Sequence, residues 1–321
     1  MNSMSGIDFS WMVLPAALAL DLFLGDPPDM PHPVRWMGRA IEKLEPVFRN
    51  LPLRLTISGG LFAAALILAA GCLAGLAVAL AAALSPALGV VVQVLLLFCC
   101  ISATSLEAAA REVYNALKAD DLILARERVG MIVGRDVSQL DRTGVARAAL
   151  ETVAENLVDG VIAPLFFFAL GGVPLALAYK MVNTLDSMVG YRNNRYIEFG
   201  RAAARIDDAA NFIPARLSIP FIALAAQILF KTGTPCLRTA RSDGRRHKSP
   251  NAGYPEAAFA GALAVRLGGP NHYHGKLVDK PWIGAGFKDV TPAHIQQGCH
   301  LMMLTVLLCA GVLMVAGLIG I

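Results

Sequence analysis

The sequence predicts an all-α, polytopic integral membrane protein, and three observations carry that prediction. Of 321 residues, 56% are hydrophobic and only 16% charged, with a mean hydropathy of +0.56, well beyond the apolar share of an ordinary soluble domain. The run from Leu55 to Leu84 holds no charge at all, and Cys299 to Ile321 has only His300 as a potentially charged group. Each run exceeds the roughly 20 residues that cross a bilayer as a helix. Against this background, the stretch from Glu151 to Leu217 packs carboxylates, amides, Arg, Lys and Tyr between apolar runs. Polar groups that dense beside membrane spans usually serve chemistry.

The elements follow in order along one catalytic membrane domain, residues 1–321. Residues 7–24 lack the basic start and small-residue cleavage site of a secretory signal, so they predict a retained helix with Asp21 near one end. The second span is 55–84, where Gly71 and Gly75, spaced as GxxxG, allow a neighbouring helix to approach. The third, 87–103, follows the Ser85-Pro86 break so closely that spans two and three predict a tight hairpin. Lys and Arg are absent before the first span and in that hairpin but plentiful in 25–54, 104–157, 187–211 and 231–298. The positive-inside tendency puts those four loops on the cytoplasmic side.

The apolar stretches 158–178 and 212–230 then separate loops on the same face, which predicts re-entrant or broken elements. The first carries Pro164 and the break Gly171-Gly172-Val173-Pro174; the second is punctuated by Pro214 and Pro220. Irregular backbone at membrane depth is tolerated where it lines a protein cavity. Two ordinary spans with positive loops on both faces are the alternative. The last span is 299–321.

Composition excludes several function classes. Six cysteines, at 72, 99, 100, 236, 299 and 309, form no CxxC pair and lie mostly in apolar spans, where they act as small hydrophobes. A net charge of +4 without a Lys/Arg run interleaved with aromatics argues against nucleic acid. The basic cluster Arg245-Arg246-His247-Lys248 is expected in a loop facing anionic head groups. His272 and His274 make an H-x-H without a third ligand nearby. No Walker A loop, GxGxxG or GxSxG is present.

Three polar clusters remain. On a helix predicted over 143–157, Arg147, Glu151, Glu155 and Asp159 recur every four residues and share a face. Arg147 and Glu151 read as an exposed salt bridge, whereas Glu155-Asn156 and Asp159-Gly160 run straight into the apolar VIAPLFFF, a placement suited to Mg²⁺ with its oxygen ligands and retained waters. The second cluster sets Asn183 and Asp186 three apart on a helical face, with Tyr179 and Lys180 one turn before; a buried Lys-Asp pair between helices is the structural alternative. In the third, Arg205, Asp207, Asp208 and Asn211 are compressed into under two turns. Adjacent carboxylates repel unless a cation or paired Arg lies between them. Outside this core, Gly25-Asp26-Pro27-Pro28 and Pro31-His32-Pro33-Val34-Arg35 predict a rigid loop, and Ser249 to Glu256 a turn-rich entry to a small-residue helix, 257–265.

At these residues the sequence resembles a known family. The strings DLFLGDPPDMPHPVRWMGR, GRDVSQLD, ETVAENLVDGVIAPLF, AYKMVNTLDSMVGYRNNRYIEFGRAAARIDDAANFIPARL, SPNAGYPEAAFAGAL and LGGPNHYHGKLVDKPWIG are similar to the adenosylcobinamide-phosphate synthase family of cobalamin biosynthesis, known as CbiB or CobD. The resemblance covers about residues 21 to 284. Two mild departures, Leu157 and Arg192, remove no group assigned to chemistry.

The resemblance implies a multi-pass enzyme of the bacterial inner membrane with its site facing the cytoplasm, using ATP as cosubstrate and Mg²⁺. It joins adenosylcobyric acid, through its f-propionate, to (R)-1-amino-2-propanol or its O-phosphate. Carried onto this sequence, Glu155, Asp159, Asp186, Asp207 and Asp208 are the expected metal ligands. Lys180, Arg195, Arg205 and Arg216 are expected on phosphates, Arg being suited to bidentate oxyanion contacts. Asn156, Asn183, Asn211, Asn251 and Tyr254, with Tyr191 and Tyr196, are expected on substrate, and Asp26, His32 or Glu256 as base. The lipid bilayer is an expected partner, with homo-oligomers or other corrinoid-pathway membrane proteins as further candidates. A diphosphate-using intramembrane transferase and a broken-helix transporter are alternatives from other classes; Gly190 in place of an Asp after Asp186 speaks against the first, the lack of an internal repeat against the second.

Overall fold

The structure is a computed structural model that describes residues 12–26, 32–191, 193–273 and 276–318. Among the described residues there are thirteen α-helices: α1 (Val13–Leu24), α2 (Pro33–Arg49), α3 (Leu55–Leu84), α4 (Pro86–Phe98), α5 (Ala103–Lys118), α6 (Leu122–Gly130), α7 (Arg142–Leu157), α8 (Ala163–Val189), α9 (Arg201–Ala210), α10 (Phe212–Phe230), α11 (Gly233–Asp243), α12 (Gly253–Leu263) and α13 (Pro292–Leu318). A π-helical turn (Val158–Ile162) follows α7, and a 3₁₀ turn (Gly244–Arg246) follows α11. The strands the composition did not announce are two short antiparallel pairs: β1 (Leu267–Gly268) with β4 (Trp282–Ile283), and β2 (Asn271–Tyr273) with β3 (Lys276–Val278).

Among the described residues, five helical stretches are long and apolar enough to cross a membrane: Leu55–Leu84, Pro86–Lys118, Arg142–Val189, Arg201–Phe230 and Pro292–Gly317. The protein is an all-α polytopic membrane protein. The surface of α3 states the solvent plainly, since Leu61, Leu68, Leu73, Leu76, Leu80 and Leu84 are all exposed, a patch water does not tolerate but hydrocarbon does. The first expected span is described only as α1; residues 7–11 lie outside the described residues, as do Pro27, Pro28, Pro31, Arg192 and His274, and the His272 side chain.

The chain divides into two compact units, each assembled from separate segments: residues 1–101, 164–207 and 310–321 make one, and 102–163 with 208–309 the other. In the first, a single residue, Ser85, separates α3 from α4, and Pro86 opens α4 at a position where its missing N–H costs nothing. The GxxxG expectation finds its neighbour in α8: a Cβ on Gly71 would sit 3.4 Å from both the Ala178 Cβ and the Pro174 carbonyl. The α8 backbone is interrupted as predicted at Gly171 and at Gly172 (φ 67°, ψ −163°), a conformation open essentially to glycine alone.

In the second unit, α12 is almost wholly buried. Its run of Ala and Gly lets α10, α11 and α7 close against it. The six cysteines are free thiols, five of them buried.

Candidate functional site

In the second unit, α7 is buried nearly throughout, and its polar face carries the first correction. Glu151 forms the expected pair with Arg147, at 4.0 Å, but the face is buried rather than exposed, Glu151 being 8% accessible. Its partners answer the buried carboxylate there. Arg135 meets one carboxylate oxygen, and the Gly268 amide donates to the other at 2.7 Å. Arg147 lies over the Trp282 ring at 4.9 Å, with Arg266 over the same ring at 4.5 Å. Glu151 therefore ties the β1–β4 hairpin to α7. The sequence missed this because Arg135 lies 16 positions earlier and the Gly268 amide 117 positions further along.

One turn later, Glu155 is exposed and Asn156 half-buried, its amide donating to the Thr152 carbonyl at 3.1 Å. Asp159 falls within the π-helical turn, where the Ala163 amide reaches back to the Val158 carbonyl. Such turns insert one residue and recur at functional sites. Here the Gly160 carbonyl accepts from the Ser102 amide at 3.1 Å and hydroxyl at 3.3 Å. Ser102 thus anchors the turn that presents Asp159, and no motif in the sequence had marked it.

Glu256, at the start of α12, is 4% accessible. Burial pushes its carboxyl well above the ordinary carboxylate range, and the negative Glu151 and Glu155 push the same way against the pull of Lys280 and Arg135. His247 faces it, Nε2 to Oε1 3.9 Å, and accepts from the Ser249 amide through Nδ1 at 3.0 Å. Burial and the Lys280 charge lower the His247 pKa. Of the basic cluster, Arg245 and Arg246 are exposed while His247 turns inward.

A second group in the same unit gathers Arg216, Asn251 and Tyr254. The Arg216 guanidinium donates to the Phe212 carbonyl at 2.6 Å, the Asn251 side-chain oxygen at 3.4 Å and the Pro250 carbonyl at 3.4 Å. It also lies over the Tyr254 ring at 4.4 Å. Asn251 in turn donates to the Asp208 carbonyl at 2.8 Å. A hydrogen bond from Arg245 and the Arg216 charge lower the Tyr254 hydroxyl's pKa. Asn211, directly before α10, is buried.

In the first unit, His32 caps α2. Its Nδ1 accepts from the Val34 amide at 3.3 Å, and its Nε2 faces Asp26 Oδ1 at 3.5 Å. The capping bond leaves the proton on Nε2, which stands near the carboxylate without meeting hydrogen-bond geometry. On α8, Tyr179 is buried against Phe167, rings 4.9 Å apart, while Lys180, Asn183 and Asp186 are half-buried. Gly190 is required beside Asp186, because a Cβ there would fall 2.0 Å from Oδ1.

Arg195 and Tyr196 converge on a carboxylate the sequence reading passed over, the buried Glu45, at 3.1 Å and 3.3 Å. Arg49 completes the cluster at 2.7 Å. Burial raises the Glu45 carboxyl, but the hydrogen bonds and charges of Arg49 and Arg195 outweigh it and hold the pKa below the usual value. The i,i+4 pair Glu45/Arg49 was the available signal. Arg195 keeps 66% of its side chain exposed, and Tyr191 and Arg205 are exposed as well. Asp207 is buried in this unit and Asp208 half-buried in the other.

Mg²⁺ is usually bound by one or two carboxylates plus waters and substrate phosphates rather than by an all-protein cage. Among the described residues no three His, Cys, Asp or Glu side chains are grouped to hold a metal. The donors present, carboxylates such as Glu155 and Asp159 one turn apart, fit the sparse Mg²⁺ mode.

The model of the CobD/Cbib protein family matches residues 14–302. "Cobalamin biosynthesis protein CobD" of Geobacter metallireducens is 50% identical over 279 residues, 86% of this chain and 87% of that protein. The protein of the same description from Klebsiella pneumoniae is 46% identical over 296 residues, 91% of this chain and 92% of its own. "Cobalamin biosynthesis protein CbiB" of Salmonella typhimurium is 44% identical over 310 residues, 95% and 97% of the two chains. No solved structure matches. Coverage of nearly the whole chain at this identity, with the quoted strings inside the matched range, decides the relationship: the chain belongs to the CobD/Cbib protein family.

Proposed function

We propose that the chain works in cobalamin biosynthesis as an amide-forming ligase of the inner membrane. In this reading the f-propionate of adenosylcobyric acid joins the amine of (R)-1-amino-2-propanol or its O-phosphate at the expense of ATP, with the Lys/Arg-bearing loops on the cytoplasmic side. The observation that carries it is the family match across residues 14–302.

A carboxylate at neutral pH is a poor electrophile, so its oxygen first attacks the γ-phosphorus of ATP, releasing ADP and leaving an acyl phosphate. The amine nitrogen then attacks the acyl carbon, phosphate departs, and the extra ammonium proton passes to a base. Bound Mg²⁺ would neutralise phosphate charge during the first step; Glu155 and Asp159, one turn apart in the second unit, are the carboxylates best suited to hold it, with Asp208 of that unit and, separately, Asp186 and Asp207 of the first as the further candidates. Arg205 and Lys180 are assigned to phosphate oxygens. Arg216 and Arg195 are half spent on protein partners and are assigned to orient substrate through their remaining nitrogens.

For the base, we assign the three candidates different parts. His32 uses Nδ1 for the Val34 amide and holds Nε2 3.5 Å from Asp26, which supports Asp26 as the acceptor. Glu256, whose carboxyl burial pushes well above the ordinary carboxylate range, is assigned to proton donation to a departing phosphate oxygen. Asn156, Asn183, Asn211, Asn251, Tyr191, Tyr196 and Tyr254 are assigned to the amide-rich corrin rim.

The test is incubation of the purified full chain with adenosylcobyrate, ATP-Mg²⁺ and each amine in turn, with the corrinoid product identified by mass. A product heavier by the amine less one water supports the reading; unchanged adenosylcobyrate with both amines refutes it. Asp186→Asn and Asp208→Asn, made separately, should each lose at least tenfold in turnover. Near-normal rates in both would remove them from the metal site.

A further inference from the structure

A pocket on the second unit is used by none of the groups above. It has a volume of about 320 Å³ and is lined by Arg238, Thr239, Ser242, Asp243 and Arg246, together with the Gly284–Phe287 loop. Ligand pockets run from ~300 to ~1,000 Å³, so this one takes a small molecule and not a tetrapyrrole.

Its construction is specific. Arg238 and Ser242 are one turn apart on α11, and neither Arg238 nor the Thr239 hydroxyl has a hydrogen bond or ion pair among the described residues. Thr239 is 93% covered by the fold, its hydroxyl lying beside Gly261 of α12, where a Cβ would fall 2.7 Å from Oγ1, so it is held in place rather than loose on the surface. The loop is pinned at one end, where buried Asp243 accepts from the Gly284 amide at 2.8 Å and Gly284 holds φ 65°. It closes as a turn with the Phe287 amide on the Gly284 carbonyl, 2.9 Å. Between them, the Ala285 and Gly286 amides donate to nothing among the described residues. A Cβ on Gly286 would meet no atom within 4 Å, so packing does not explain the missing side chain, while the opening it leaves lies at the pocket.

The charge balance follows from these contacts. Asp243 spends Oδ2 on Gly284, and Arg246 approaches its Oδ1 through Nε only to 3.5 Å, longer than a charge-assisted bond of ~2.8 Å. Two guanidiniums thus face one occupied carboxylate, with a spare hydroxyl and spare amides beside them. That set of donors matches a tetrahedral oxyanion.

We propose that this pocket binds the phosphate group of a small phosphate ester, Arg238 and Arg246 supplying the charge and Thr239 with the 285–286 amides the directed donors. Two sources carry that chemistry, a water-soluble phosphate monoester and the head group of an anionic lipid. The readout is binding, so the proposal stands or falls apart from amide formation.

The full chain is placed in phosphatidylcholine nanodiscs, and in a second set containing phosphatidic acid, and binding of radiolabelled orthophosphate is measured at equilibrium. Saturable binding is expected in phosphatidylcholine. The double variant Arg238→Gln/Arg246→Gln should weaken it at least tenfold, as loss of charge-assisted bonds predicts, and Gly286→Val should do so by occlusion without moving the melting temperature. Arg245→Gln, the exposed neighbour bonded to Tyr254, should leave it unchanged. Binding that persists with phosphatidic acid present assigns the pocket to a soluble ester; binding suppressed by that lipid assigns it to a head group. Absence of saturable binding in phosphatidylcholine, or equal affinity in the wild type and both pocket variants, overturns the proposal.

Discussion

Replacing Glu151 by Gln tests whether the second unit hangs on one buried carboxylate. The substitution keeps an oxygen for the Gly268 amide but removes the charge that answers Arg135, whose side chain is 8% accessible. Removing one partner of a buried pair costs about 3–5 kcal/mol, because the survivor stays charged and desolvated; the retained hydrogen bond puts Gln near the lower figure. Glu151→Ala also strands the buried Gly268 donor, which adds about 1–3 kcal/mol. At about 2–4 °C per kcal/mol for domains of 150–250 residues, the Gln variant should melt roughly 6–12 °C below wild type. Melting in detergent can be followed with a thiol-reactive dye, because Cys236 and Cys299 lie buried in this unit while Cys72 on α3 reacts from the start. Arg135→Gln alone should cost a similar amount. The double variant, which leaves only the more distant Arg147, 4.0 Å from Glu151 in the wild type, without its carboxylate, should recover much of the loss. A Gln variant within 2 °C of wild type, or a double variant whose losses simply add, would refute the reasoning.

Three further outcomes follow from the same geometry. Glu256 has a folded pKa above its unfolded value of about 4.3, so the folded state holds more protons and stability falls as pH rises from that value toward the folded pKa; melting curves across pH should show this slope in wild type and not in Glu256→Gln. His247, lowered by burial, adds a slope of opposite sign in both proteins that ends at its unfolded value of about 6.5, and the difference between the two curves isolates Glu256. Gly160→Ala would put a Cβ 2.5 Å from the Ser102 hydroxyl, an overpacking worth about 1–3 kcal/mol, and adding Ser102→Gly should restore most of the melting temperature; failure of that rescue would detach Ser102 from the π-helical turn. Gly172→Ala forces a side chain into a glycine-only conformation and should cost about 1–3 kcal/mol, whereas an unchanged melting temperature would show that α8 does not keep its break.

What the sequence made legible were the features set by composition along the chain. The ends of α3 and α10 fall where the apolar runs end, and α7 begins one residue before the predicted start, because chain-local hydropathy and caps such as Asp141 decide them. The interruption at Gly171-Gly172 was equally local. The π-helical turn was not, since VDGVI has ordinary helical propensity and the extra residue is fixed by Ser102, 58 positions earlier. The strand pairs escaped for a related reason: runs of two and three residues carry no periodicity, and the β1–β4 pair is held from elsewhere, by Glu151 at Gly268 and Asp243 at Gly284.

The candidate site divides along the same line. Asp207 and Asp208 looked like one feature because neighbouring carboxylates repel. On α9 successive side chains point about 100° apart, and the two residues fall in different compact units, one buried and one half-buried. Their adjacency along the chain therefore gives no reason for them to share a cation, and each has to be argued from its own surroundings. The reverse holds for Glu45 and Arg195, or Glu151 and Gly268, which are more than a hundred positions apart yet in direct contact. Spacing within a helix locates a face; whether that face meets solvent, lipid or another carboxylate depends on contacts the spacing does not encode. Glu151 and Glu155 illustrate it one turn apart on the same helix, the first sealed into an ion pair and the second exposed. On that ground the metal assignment rests on Glu155 and Asp159, whereas Glu151, fully engaged by Arg135 and Gly268, serves the fold.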